Sequence, residues 1–269
     1  MSKNLHQAAW QCLVECAVPT KLAAIQQLHR DWQAGLLSAA AKDLPVVEVA
    51  GRPDKPVLVD PAKVPKRKLG SPEGQAALVH ALAHIEFNAV NLACDAVYRF
   101  QGLPDDFYSD WLQVAAEEAY HFSLLQQRLA ELDYAYGDFP AHNGLWEMAC
   151  KTAEDPLLRM ALVPRVMEAR GLDVTPGMMQ RFARIGDDAT VDILQTILRD
   201  EIQHVEVGSR WFRYFCEQRE LDPETHYLTL LQHHFQHGVR GPLHTEARLA
   251  AGFSPYELEE LEALCKKPS

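Results

Sequence analysis

Two copies of Glu-x-x-His constrain this chain more than any other feature: Glu118-Ala-Tyr-His121 and Glu201-Ile-Gln-His204, each set in the apolar stripe of a predicted helix. At i, i+3 spacing, a carboxylate and an imidazole project from one helix face into the same space. Two further apolar stripes each hold one glutamate, Glu86 and Glu168. Burying carboxylates without a counter-charge is very costly, and divalent cations remove that cost. One glutamate from each of two helices and a Glu-x-x-His from each of two others form the donor set of a carboxylate-bridged dinuclear metal centre in a four-helix bundle.

The helices follow from the pattern around these residues. Ser71-Pro72-Glu73 reads as a helix start, with serine as cap and proline in the first turn. From there to Gly102, Val79, Leu82, Ala83, Glu86, Val90, Ala93 and Val97 share a face. Gly102-Leu103-Pro104 breaks the chain. A second helix then runs to about Leu132, with Trp111, Val114, Ala115, Glu118, His121, Phe122, Leu125 and Leu129 inward. Glu86 lies 17 residues before Leu103 and Glu118 lies 15 after it. At about 1.5 Å per residue both sit roughly 25 Å from the turn, so an antiparallel hairpin places them side by side.

A third helix is predicted from Asp155-Pro156 to about Arg170, with a kink at Pro164 and with Leu157, Ala161, Pro164 and Glu168 on one face. Residues 171–186 read as an insertion whose own short helix opens at Thr175-Pro176. The fourth helix spans about Asp188 to Gln218. Residues 133–154, with a short helix around Leu145–Thr152, must cross the bundle. Residues 5–40 read as helical with a break at Pro19. Five prolines (Pro45, Pro53, Pro56, Pro61, Pro65) make 44–70 an extended arm. Within it, Val46-Val47-Glu48-Val49 is the one strand-like alternation. The expected class is all-α: a four-helix bundle over 71–220, N-terminal helices and the proline-rich arm over 1–70, and a C-terminal helical extension over 221–269, together one structural domain.

Bulk properties narrow the setting. At 269 residues roughly 75% of the unfolded surface can be buried, so disulfides are not needed for a core. The six cysteines include no Cys-x-x-Cys pair and read as reduced thiols of a cytoplasmic protein. A net charge of −11 disfavours nucleic acid as a partner. The one basic cluster, Lys63, Lys66, Arg67 and Lys68, reads as a solvated loop or, in the minority view, as a contact for an anionic partner. The N-terminus has no apolar signal core, and no stretch is expected to reach the length of a membrane span.

Donor chemistry then sets the metal. Mixed carboxylate and imidazole ligands suit two iron ions, and a manganese or mixed manganese/iron pair fits them too. Glu118 and Glu201 are the natural bridging, catalytic carboxylates, His121 and His204 hold one ion each, and Glu86 and Glu168 are terminal. Asp200 and Glu117 precede the motif glutamates and are candidates to orient the histidine of the opposite helix, unless they are plain exposed charges. Glu-x-x-His alone is weak, because about one match is expected by chance. The competing reading is a pair of buried salt-bridge networks. His80 and His84 lie off the Glu86 face and read as surface or supporting groups. His233, His234 and His237 read as a solvated helix end, with a nickel- or zinc-binding patch as the alternative. Arg170, Asp173, Arg240 and Arg248 are candidate pocket-edge residues, though surface salt bridges are the commoner reading of such a set.

The stretches His84-Ile-Glu86, Glu117-Glu118-Ala-Tyr-His121-Phe122, Glu168-Ala-Arg-Gly-Leu-Asp173 and Asp200-Glu201-Ile-Gln-His204-Val-Glu-Val-Gly208 resemble a bacterial ferritin-like family of unknown function. More distantly the arrangement is similar to tRNA-modifying di-iron hydroxylases. The resemblance implies a ferritin-like bundle with a di-iron or di-manganese site, and it supplies no substrate. The function expected is oxidation of an organic substrate with activated dioxygen or peroxide, drawing on a small-molecule substrate and an electron donor, with a homodimer compatible. Iron handling, peroxide detoxification and a metal-stapled, non-enzymatic bundle are the alternatives.

Overall fold

The computed structural model describes residues 3–65, 69–235 and 241–265. Lys66, Arg67, Lys68, His237 and Arg240, singled out above, lie outside the described residues. The protein is all-α: among the described residues the strands are β1 (Lys3–Asn4) and β2 (Leu37–Ser38), two residues each and paired in parallel. It divides into two compact units, Met1–Cys150 and Lys151–Ser269.

The first unit is built on α1 (Leu5–Val14), α2 (Val18–Gln33), α3 (Pro72–Arg99) and α4 (Asp105–Glu131). Asn4 caps α1 by accepting from the Gln7 backbone N–H. The break before α2 comes at residues 15–17, and Pro19 sits in the first turn of α2, where its missing N–H removes no helical bond. Ser71 caps α3 as expected, accepting from the Gly74 N–H at 3.1 Å. The α3 helix packs against α4 and α1, and α2 packs against α4. Packed between α1 and α4, α3 buries residues all round its circumference. That corrects one expectation: α3 is long and apolar enough to cross a membrane by length and composition. However, 78% of that stretch is buried inside the protein, as in a core helix.

The arm of residues 44–65 is extended as far as a 3-10 turn at Pro61–Lys63, and Val46–Val49 forms no strand. It is tied down by single bonds. Tyr98 donates to the Pro45 carbonyl at 2.8 Å and Trp146 Nε1 donates to the Glu48 carbonyl at 2.9 Å. The Gly51 N–H donates to the Leu13 carbonyl at 2.8 Å. A Cβ on Gly51 would lie 2.3 Å from the Val14 carbonyl oxygen, so this approach requires glycine. After α4, residues 132–143 fold back over α3, and α5 (Gly144–Lys151) supplies the short helix expected there.

In the second unit α6 (Pro156–Leu162), a π-helical segment (Val163–Glu168) and α7 (Ala169–Ala183) run on as one rod that packs against α8 (Asp188–Gln218). The expected insertion at 171–186 is therefore corrected: the helix continues through Gly171 and Pro176. Ala169, Leu172 and Phe182 are fully buried, and that packing outweighs the local breakers. The predicted distortion at Pro164 takes the form of the π-helical segment, where one turn is widened around a residue that lacks an N–H. Gly208 of α8 lies against it. A Cβ there would stand 2.3 Å from the Pro164 ring. The short helices α9 (Pro223–His234), α10 (Thr245–Ala250) and α11 (Pro255–Cys265) complete the unit.

Candidate metal centre

In the first unit the hairpin of α3 and α4 delivers what its spacing predicted. Glu86 from α3 meets Glu118 and His121 from α4, and all three are buried. His121 Nδ1 lies 3.3 Å from Glu86 Oε2 and 3.5 Å from Glu118 Oε2. Burial, and then the neighbouring Glu118 charge, push the Glu86 carboxyl well above the usual carboxylate range. Burial pulls the His121 imidazole the other way, toward neutrality. Its bonds to Glu118 and Glu86 win and raise it to about 11. Without a metal, the two carboxylates thus draw the His121 imidazole toward its protonated form.

These donors fit a divalent cation. Their ligand atoms all lie within 4.8 Å of one another. Two donors each ~2.1 Å from one ion are separated by ~3.0 Å in octahedral and ~3.4 Å in tetrahedral geometry. The observed 3.3 and 3.5 Å need only tenths of an ångström of adjustment.

In the second unit Glu201 and His204 stand one turn apart on α8, both buried. His204 Nδ1 is 3.9 Å from Glu201 Oε1, looser than in the first unit. Glu168, the last residue of the π-helical segment, is half-buried, with one carboxylate oxygen enclosed. Among the described residues, Glu168 is not grouped with Glu201 and His204 at metal-ligand spacing.

Neighbouring residues take varied places. Asp200 accepts from Arg199 Nε at 2.8 Å. Glu117 accepts from Gln113 Nε2 at 2.5 Å and lines a shallow cleft with Gln26 and His29 of α2. Of the two readings of His80 and His84, surface or supporting, the surface one is corrected, since both are buried. His80 Nε2 accepts from the Gly137 N–H at 2.9 Å, and His84 contacts the Tyr136 hydroxyl at 2.8 Å and the His142 carbonyl at 3.1 Å. Both lie off the Glu86 face, as the angular argument required. The fold of residues 132–143 over that other face buries them. Asp173 and Arg248 form a fully buried ion pair at 2.8 Å rather than a pocket edge, and Arg170 stays partly exposed beside them. Tyr120 is exposed, while Tyr98 is a core residue.

The sequence reading missed several buried cations, Arg165 and Lys21 among them. Arg165 forms a two-oxygen bond to Glu257 at 2.7 and 2.8 Å, its guanidinium within 5 Å of the Phe212, Tyr227 and Phe253 rings. Lys21 is fully buried and donates to the Leu13 and Gly51 carbonyls and to Asn91 Oδ1. A lysine or arginine on a helix ordinarily reads as solvated, and nothing in the periodicity marks these two.

Residues 15–259 match a family described as protein of unknown function (DUF455). An uncharacterized protein of Haemophilus influenzae (strain ATCC 51907 / DSM 11121 / KW20 / Rd) is 48% identical over 225 residues, covering 80% of this chain and 77% of that protein. No solved structure matches.

Proposed function

We propose, for a chain that belongs to the DUF455 family of unknown function, that Glu86, Glu118, His121, Glu168, Glu201 and His204 hold two iron or manganese ions and that the protein is a ferritin-like, non-haem oxidoreductase. The observation that carries this reading is the closure of Glu86, Glu118 and His121 into one buried donor group at metal-ligand spacing. The donor types, carboxylate and imidazole without thiolate, suit redox-active iron and manganese. Six protein ligands for two ions leave positions open to water, and a bound pair would supply electrons to dioxygen or peroxide for oxidation of an organic substrate. The chain's own contribution is to hold the donors in a dry, apolar setting: Val90, Ala115, Phe122 and Leu125 are fully buried around them on α3 and α4. In that setting His121 must give up a proton for a cation to bind, which makes metal uptake proton-coupled.

A second reading has an observation of its own. The 3.3 and 3.5 Å contacts also describe a metal-free ion network that staples α3 to α4. Anaerobic Fe(II) loading followed by oxygen separates the two. The oxidoreductase reading expects oxygen uptake that depends on bound iron and is lost in Glu118→Ala. Iron accumulation far beyond about two per chain indicates storage instead, and no iron retention at all leaves the ion network.

A further inference from the structure

Beneath the arm of the first unit lies a partly enclosed cavity of about 230 Å³, on the face of α3 turned away from Glu86. It is lined by Arg52 of the arm, Asn88 and Asn91 of α3, Asn143 before α5, and the rings of Phe87 and Trp146. Two of its polar groups are at least nine-tenths buried and carry free hydrogen-bonding capacity. Asn91, 3% exposed, has its Oδ1 held by the Lys21 ammonium at 2.5 Å. An ammonium can only donate, so the Asn91 amide is oriented without ambiguity and its Nδ2 is left as a donor with no partner among the described residues. Asn88, 5% exposed, donates its Nδ2 to the His84 carbonyl at 2.8 Å. Its Oδ1 is thereby fixed as an acceptor, also without a partner. Arg52 uses Nη1 to donate to the Pro53 and Pro56 carbonyls at 3.1 and 3.3 Å, leaving Nε and Nη2 available.

The lining includes no carboxylate, in a chain of net charge −11. A cationic fork beside a fixed amide donor matches the two oxygens of a carboxylate. The fixed Asn88 acceptor calls for a donor on the same molecule, and Phe87 and Trp146 offer apolar walls. The volume is below the roughly 300–1,000 Å³ of drug-sized sites, so only a few heavy atoms fit. We propose that this cavity binds a small hydroxy- or amino-carboxylate, held by Arg52 and Asn91 at the carboxylate and by Asn88 at the hydroxyl or amine.

The probe is lactate, with lactamide as its uncharged counterpart, titrated into the full-length chain kept metal-free with EDTA and followed by thermal denaturation and calorimetry. Removing metal keeps lactate from acting as a ligand of the proposed metal centre, so this test stands or falls independently of that one. Lactate is expected to raise the melting temperature in a saturable way. Lactamide and acetate, lacking the charge and the donor respectively, should bind at least about tenfold more weakly. Arg52→Gln and Asn143→Ala, on partly exposed side chains, keep the fold. Arg52→Gln should weaken lactate by about tenfold or more, and Asn143→Ala checks that the cavity survives an unrelated change in its lining. Absence of saturable stabilisation in the parent chain, or equal responses from lactate and lactamide, or an undiminished response in Arg52→Gln, overturns the proposal and leaves a water-filled cavity.

Discussion

The two donor clusters look alike in sequence and differ in the structure. In the first unit, Glu86, Glu118 and His121 come from two uninterrupted α-helices and close to 3.3 and 3.5 Å. In the second, His204 and Glu201 are 3.9 Å apart, and Glu168 ends a π-helical segment that contains Pro164. An unbroken helix fixes side-chain direction by its 3.6-residue period, so counting residues to the turn placed Glu86 beside Glu118. A widened turn shifts every later residue around the axis, and Glu168 is the residue that inherits the shift. The first cluster holds its donors at 3.3 and 3.5 Å, while the Glu201–His204 pair of the second stands at 3.9 Å.

If that contrast holds, His121→Ala in metal-free protein should cost about 3–5 kcal/mol, because it strands two buried carboxylates without their cation. His204→Ala should cost clearly less. Urea denaturation in the presence of a chelator gives both values, and equal losses would erase the distinction. The next largest effect falls on the π-helical segment. Gly208→Ala drives a methyl group into the Pro164 ring and should destabilise the second unit by about 1–3 kcal/mol, read as faster hydrogen exchange over Pro156–Gln218. Protection that stays unchanged would mean the rod can slide past α8, and the π-helical turn would not be a fixed feature.

Alkali tests the units more gently. Burial raises Cys12 and Cys216 from 9.0 to about 11 and Tyr227 from 10.0 to about 12, and lifts Cys94 in the same direction. Between pH 9 and 11 the unfolded chain gives up protons that the native chain keeps, so stability falls as pH rises through that window. Lys21 works oppositely. Burial lowers it from 10.5 to about 8, so between those values the unfolded chain holds the extra proton and stability rises with pH. Lys21 belongs to the first unit, with Cys12 and Cys94. Among the described residues of the second unit, no buried amine offsets Cys216 and Tyr227. Segment-resolved hydrogen exchange at about pH 8 and about pH 10.5, corrected for intrinsic rates, should show the second unit loosening first, and Lys21→Met should remove the first unit's advantage.

Much of this was legible in the sequence, for particular reasons. Ser71-Pro72 marked the start of α3 because cap and first-turn chemistry are local. The α3–α4 hairpin and its paired carboxylates followed from helical period and turn position. Continuity through Gly171 and Pro176 was not legible, since burial of Leu172 and Phe182 against α8 decides it. The burial of His80, His84 and Lys21 was hidden for a related reason. Each is covered by a non-helical segment, residues 132–143 or the arm, whose path no periodicity encodes. The Arg165–Glu257 pair joins residues 92 apart in sequence and leaves no local trace.

Stoichiometric titration of Fe(II) or Mn(II) into chelator-stripped protein under anaerobic conditions, with bound metal counted after gel filtration, bears most directly on the central claim. The expected result is about two ions per chain, taken up with release of protons from His121 and the glutamate cluster. Protein that emerges metal-free, with His121 still protonated between Glu86 and Glu118, would contradict it.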